Sequence, residues 1–89
     1  MEVIFDKSFL KAIDKLTDKA LKKKIEKVII ELEESDSLLK VKNIKKMEGF
    51  KSFYRIRVGD FRIGFELEKS TTIRLITIAH RKDIYKIFP

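Results

Sequence analysis

Phe53-Tyr54-Arg55-Ile56-Arg57-Val58-Gly59-Asp60-Phe61-Arg62-Ile63-Gly64-Phe65-Glu66-Leu67-Glu68 is the stretch whose reading decides the fold. Polar and apolar residues alternate through most of it, the two-residue period of a half-buried strand. Gly59-Asp60, set between Val58 and Phe61, suits a two-residue hairpin turn of type I′ or II′. A turn that tight sets the register: Val58 opposite Phe61, Arg57 opposite Arg62, Ile56 opposite Ile63, Arg55 opposite Gly64. One face then carries Tyr54, Ile56, Val58, Phe61, Ile63 and Phe65 and reads as core. The other carries Arg55, Arg57 and Arg62. Arginines directly opposite on adjacent strands repel, so a purely structural sheet gains little from this face. The alternative is a solvated outer face on a basic protein. Gly64 weakens its strand and marks a place where a ligand or another backbone comes close.

Downstream, Lys69 to Thr72 forms a second turn. Ile73 to Ala79 is rich in β-branched residues and apolar on both sides, as a central strand is. His80 to Pro89 is either a helical turn or an irregular tail. Upstream, Leu38 to Phe50 is the least periodic segment, a connection bearing Lys40, Lys42, Lys45 and Lys46 and ending at Gly49. Met1 to Phe5 reads as a strand that pairs with something later. Asp6 caps a first helix, in which Phe9, Leu10, Ile13 and Leu16 recur at helical spacing. Thr17-Asp18 interrupts the run and offers a new N-cap before the stripe Leu21, Ile25, Val28, Ile29 and Leu32. A helical hairpin is expected, one long bent helix being the alternative. The order is strand, helix, helix, then a three-stranded antiparallel meander. It predicts a two-layer α+β domain over residues 1–89, with a mainly antiparallel four-stranded sheet and the helices on one face. The arginine face is left open, or covered only by a partner.

Charge narrows the function. Lys plus Arg number 21 against 14 acids, a net charge of +7. In so small a chain this points to a polyanion, most often nucleic acid, with an acidic protein as the other partner such a field suits. There is no cysteine and one histidine, so neither a disulfide framework nor a structural zinc site is expected. No apolar run approaches a membrane span and the first residues lack the apolar core of a signal peptide. A cytoplasmic protein without membrane contact is the default expectation.

Tyr54-Arg55-Ile56-Arg57-Val58-Gly59-Asp60-Phe61-Arg62-Ile63, followed by Ala79-His80-Arg81-Lys82-Asp83-Ile84-Tyr85, resembles the RelE/ParE superfamily of toxins from toxin–antitoxin pairs. Length and element order extend the resemblance over nearly the whole chain. Members similar to RelE are ribosome-dependent endoribonucleases that cut messenger RNA in the decoding site. Members similar to ParE poison DNA gyrase on the same scaffold and lack the catalytic set. The resemblance implies a metal-independent endoribonuclease of the RelE-like branch, without cofactor. Its partners would be a cognate antitoxin and the ribosome with its mRNA. Arg55 and Arg57 stand where such enzymes carry two basic residues before the hairpin turn, Arg62 at the arginine just after it, and Arg81 at the basic residue closing the last strand. Tyr85 is similar to the C-terminal tyrosine that stacks on a base or takes part in proton transfer. The interval from Arg81 to Tyr85 is shorter, and the hairpin turn tighter, than in the best-known members.

The chemistry asks for these residue types. When RNA is cut by its own 2′-hydroxyl, a base takes the hydroxyl proton, an acid supplies the leaving 5′-oxygen, and positive charge meets the pentavalent phosphorane. Guanidinium groups bind phosphate oxygens in pairs and serve the last need. Arg62, Arg81, Tyr85 and His80 are the catalytic candidates, and Arg55, Arg57, Lys45, Lys46 and Lys82 the phosphate-binding ones. His80 is the one side chain that titrates near neutrality unperturbed, and Tyr85 serves as base if neighbouring cations lower its pKa. Two other readings use the same residues: a gyrase-binding toxin without chemistry of its own, and a basic nucleic-acid-binding module. The second of these expects an aromatic platform on the open face, where Phe53 is the one ring the register places.

Overall fold

Two aspartates begin the helical layer. In the computed structural model, which describes residues 1–89, the Asp6 carboxylate accepts the Ser8 N–H at 3.1 Å and caps α1 (Lys7–Asp14). Asp18 accepts the N–H groups of Ala20 and Leu21 at 2.9 and 3.1 Å and caps α2 (Lys19–Glu34). Both satisfy donors that a first helical turn leaves unpaired. The break at Thr17-Asp18 therefore makes a helical hairpin and not one bent helix.

The sheet has five strands, one more than the sequence suggests. They are β1 (Glu2–Phe5), β2 (Ile44–Lys46), β3 (Phe53–Val58), β4 (Phe61–Lys69) and β5 (Thr72–His80), in the spatial order β1-β5-β4-β3-β2. β1 lies parallel to β5, and the other pairs are antiparallel. The strand β2 falls inside the aperiodic lysine-bearing connection. It is three residues long, two of them lysines, at the sheet edge. So short a run shows no alternation, and lysines are what natural edges carry to discourage further pairing.

The central hairpin takes the register its turn dictates. Val58 pairs with Phe61, Arg57 with Arg62, Ile56 with Ile63 and Arg55 with Gly64. Gly59 has φ +59° while Asp60 is not in the positive region, which selects type II′ over I′. On β5 the residue Ile76 bulges out between the partners of Gly64 and Phe65, and Ser8 Oγ donates to its carbonyl. The core forms where Phe9, Leu21, Ile25 and Leu32 of the helices meet Ile56, Val58, Ile63, Phe65, Ile73, Leu75 and Ile78 of the sheet, all buried.

The opposite face is not left open. Beyond β5 the chain turns back, forms one helical turn, α3 (Ile84–Ile87), and buries Ile84 and Phe88 outside the main core. Gly64 makes room for this tail. A Cβ there would stand 2.5 Å from two atoms of the Phe88 ring. The close approach expected at Gly64 is made by a side chain of the chain itself, not by a ligand or another backbone.

Candidate functional site

Six cations gather where β2, β3, β4 and the start of the C-terminal tail meet. Lys45, Arg55, Arg57, Arg62, Arg81 and Lys82 line an open basin of about 770 Å³ together with Asn43, Ile44, Ile84 and Tyr85, and no carboxylate lines it. The pleat explains most of this. Lys45 is opposite Arg55, Arg55 opposite Gly64 and Arg57 opposite Arg62, so these side chains share the face turned away from the helices.

The four arginines are each held differently. Arg57 Nη2 donates to Asn43 Oδ1 at 3.1 Å, and the Arg57 N–H donates to the Asn43 carbonyl at 3.0 Å. Arg62 Nη1 folds back on the hairpin turn and donates to the carbonyls of Gly59 and Phe61 at 3.0 and 2.9 Å. The two facing arginines are therefore drawn to different partners, which lessens the repulsion the register imposes. Arg81 is tied to the same turn: its N–H donates to the Asp60 carbonyl at 2.8 Å, and its Nε stands 4.0 Å from Asp60 Oδ1. Arg55 is buried, 9% exposed, with its guanidinium carbon 4.4 Å from the centre of the Tyr85 ring. Arg55, Arg57 and Arg62 take part in none of the four ion pairs of the chain. Charge kept this close together and without anions fits a site whose counter-charge is the ligand.

Tyr85 is the titratable group the basin acts on. The Arg55 guanidinium beside it holds the phenol below the usual tyrosine value; partial burial opposes this, and Lys45 and Arg62 add to the lowering. The ring is 70% exposed, so the hydroxyl is open to an incoming molecule.

Two candidates lie elsewhere. His80 pairs with Phe61 across β4 and β5, and its ring meets the Phe61 ring edge-on at 5.5 Å, on the helix side. Its Nδ1 accepts the Lys82 N–H at 3.2 Å, so the imidazole shapes the turn leading out of β5 instead of facing the arginines. Lys46 is opposite Tyr54 and lines a separate cavity with it, since one residue of parity carries it to the other face. The basin also contains a residue that the charge pattern does not single out. Asn43 has φ +67°, the one non-glycine in the left-handed region, which asparagine tolerates better than most residues. An asparagine in the middle of the lysine-bearing segment, directly before β2, was the available signal.

The aromatic residues near the basin are more numerous than Phe53 alone. Phe53 contacts both Phe50 and Phe88 edge-on, each at 5.6 Å between centroids, and Tyr85 stacks on Arg55.

A family model described as ParE toxin of type II toxin–antitoxin system, parDE, matches residues 3–85. The chain is 42% identical over 90 residues to toxin RelE3 of Methanocaldococcus jannaschii, with both chains covered in full. Among solved structures it is similar to a chain of the RelB–RelE antitoxin–toxin complex from Methanococcus jannaschii, at 39% identity and a TM-score of 0.79, covering 97% of this chain and 99% of that one. A chain of the archaeal RelE–RelB complex from Pyrococcus horikoshii OT3 matches at 25% identity and a TM-score of 0.72, covering 90% and 93%.

Proposed function

Because the chain belongs to the RelE/ParE superfamily of type II toxin–antitoxin toxins, in its RelE-like branch, we propose that it is an endoribonuclease that cuts mRNA in the ribosomal decoding site. The observation that carries the proposal is the basin of six cations around a phenol whose pKa is lowered. A protein that only binds another protein has no need of such a pair.

In this reading the scissile phosphate sits among Arg55, Arg57, Arg62 and Arg81. Tyr85, as phenolate, takes the proton of the 2′-hydroxyl, and the 2′-oxygen attacks the adjacent phosphorus. A 2′-O–P bond forms, the P–O5′ bond breaks, and the products are a 2′,3′-cyclic phosphate and a 5′-hydroxyl. Lys82 is the rim cation suited to protonate the leaving 5′-oxygen, since an ammonium gives up a proton more readily than a guanidinium. The guanidinium groups stabilise the negative charge that builds on the phosphorane. No second strong base faces the basin, so the ribosome supplies the in-line bend of the mRNA. The protein works in the cytoplasm, where translating ribosomes are.

The same reading includes an antitoxin. The helix side carries an apolar groove lined by Phe5, Phe9, Leu10, Ile13, Ile25 and Ile29, flanked by Lys22 and Glu26. An acidic chain that folds on binding suits both this groove and the net charge of +7. Expression alone should arrest growth, and co-expression with the neighbouring reading frame should relieve it and yield a co-purifying complex.

Mapping transcript 5′ ends after induction tests the activity. New 5′-hydroxyl ends should appear within translated reading frames and vanish when initiation is blocked. Loss of supercoiling by purified gyrase, with transcripts intact, would support the ParE-like reading instead.

A further inference from the structure

Tyr85 is 70% exposed, yet in the proposed reaction it is the one on which proton transfer depends. Its helix, α3, is a single turn of four residues, far too short to hold itself. Ile84, which starts the turn, and Phe88, which follows it, do the holding. Ile84 is fully buried, Phe88 is 3% exposed, and the Phe88 N–H donates to the Ile84 carbonyl at 2.9 Å. Phe88 lies flat enough on the sheet to occupy the space that a side chain at position 64 would fill. A Cβ on Gly64 would meet three of its ring atoms at 2.5, 2.5 and 2.8 Å. Phe53 stands edge-on to the ring at 5.6 Å. Gly64 is also the cross-strand partner of Arg55, the residue beneath Tyr85, so ring and stack are neighbours on one patch of sheet.

We propose that the Gly64 notch and the Phe88 ring form a lock that positions Tyr85 over Arg55 at the phosphate basin. Gly64 and Phe88 are positioning residues, acting through α3 and touching no substrate. The proposal rests on the reading of Tyr85 as the proton acceptor. Gly64 has ordinary strand geometry, so alanine there meets no backbone strain and acts through the ring alone. A methyl group at position 64 displaces Phe88, and α3 carries Tyr85 away from the guanidinium.

Tyr54 and Tyr85 are the two tyrosines, so a Tyr54→Phe background isolates the Tyr85 phenol for ultraviolet titration. In that background Gly64→Ala and Phe88→Ala should each move Tyr85 ionisation up toward the ordinary value of about 10. Each should slow cleavage of ribosome-bound mRNA about tenfold or more, as small misplacements of reacting groups do. The double variant should be no worse than Phe88→Ala alone, because the added methyl group then faces no ring. Losses that multiply, or a Gly64→Ala protein that titrates and cleaves like its parent, would overturn the lock. Should Gly64→Ala fail to fold, Phe88→Ala leaves the sheet intact and carries the same expectation; an unmoved titration there overturns the proposal. A titration that moves while cleavage does not leaves the lock standing and removes Tyr85 from the reaction.

Discussion

Arg55 is a nearly buried charge covered by a phenol ring and unpaired with any carboxylate. Its effect on Tyr85 sets a pH dependence. With phenolate as the base, cleavage rises with pH, and the midpoint of the rise lies below that of an ordinary tyrosine because Arg55 lowers the pKa. Arg55→Gln should move that rise upward, toward the ordinary tyrosine value, while Arg55→Lys should move it less. A profile unchanged by Arg55→Gln would show that another group takes the proton. Arg62 has a different balance. Arg62→Gln loses two bonds to turn carbonyls, each worth about 0.5–1.5 kcal/mol. It also relieves a like-charge pair worth about 0.2–1 kcal/mol. The net change at low salt should be a loss of between zero and about 3 kcal/mol, and the variant should look less stable still as salt screens the repulsion but not the lost bonds. Denaturant melts at two salt concentrations measure this. The arginine face was legible because every second residue of a register-fixed hairpin shares a side. His80 was misplaced because one residue of parity at a strand end decides the face, and composition does not reveal it.

At the scale of elements, the hairpin turn holds the site together as well as the sheet. It fixes Arg62 through two carbonyls and Arg81 through the Asp60 carbonyl. Gly59→Ala should cost about 1–2 kcal/mol, since φ +59° disfavours a side chain, and should lower cleavage as well. Gly59→Asn should be milder on both counts. The helical hairpin is a simpler case: Asp18→Ala removes a cap with two bonds and should cost about 1 kcal/mol without touching the basin. The two helix starts, the hairpin register and the β5 strand were readable because caps, turns and periodicity are local signals. β2 was not, because three residues cannot show a period and its pairing is decided by β3. The tail was ambiguous for the same reason, since α3 exists only by virtue of what Ile84 and Phe88 bury.

Over the whole molecule, a helical layer and a cationic face are separated by a five-stranded sheet. In the proposed reading the two sides meet an antitoxin and an RNA independently. No helix is long and apolar enough to cross a membrane. With a charge of +7, affinity for RNA should fall steeply with salt, and the slope should lessen by about one counterion when one basin cation is neutralised. Titrations of a non-cleavable RNA at several salt concentrations check this, comparing Lys45→Gln with Lys46→Gln. Lys45 lines the basin and Lys46 does not, so the first should weaken binding more. The most direct test of the account is the single-turnover rate of mRNA cleavage on programmed ribosomes, read together with the chemistry of the new ends. The account predicts 2′,3′-cyclic phosphate and 5′-hydroxyl ends, with a rate that drops on the order of a hundredfold in Arg62→Gln. Cleavage that survives Arg62→Gln undiminished, or intact mRNA on ribosomes saturated with the wild-type protein, would contradict it.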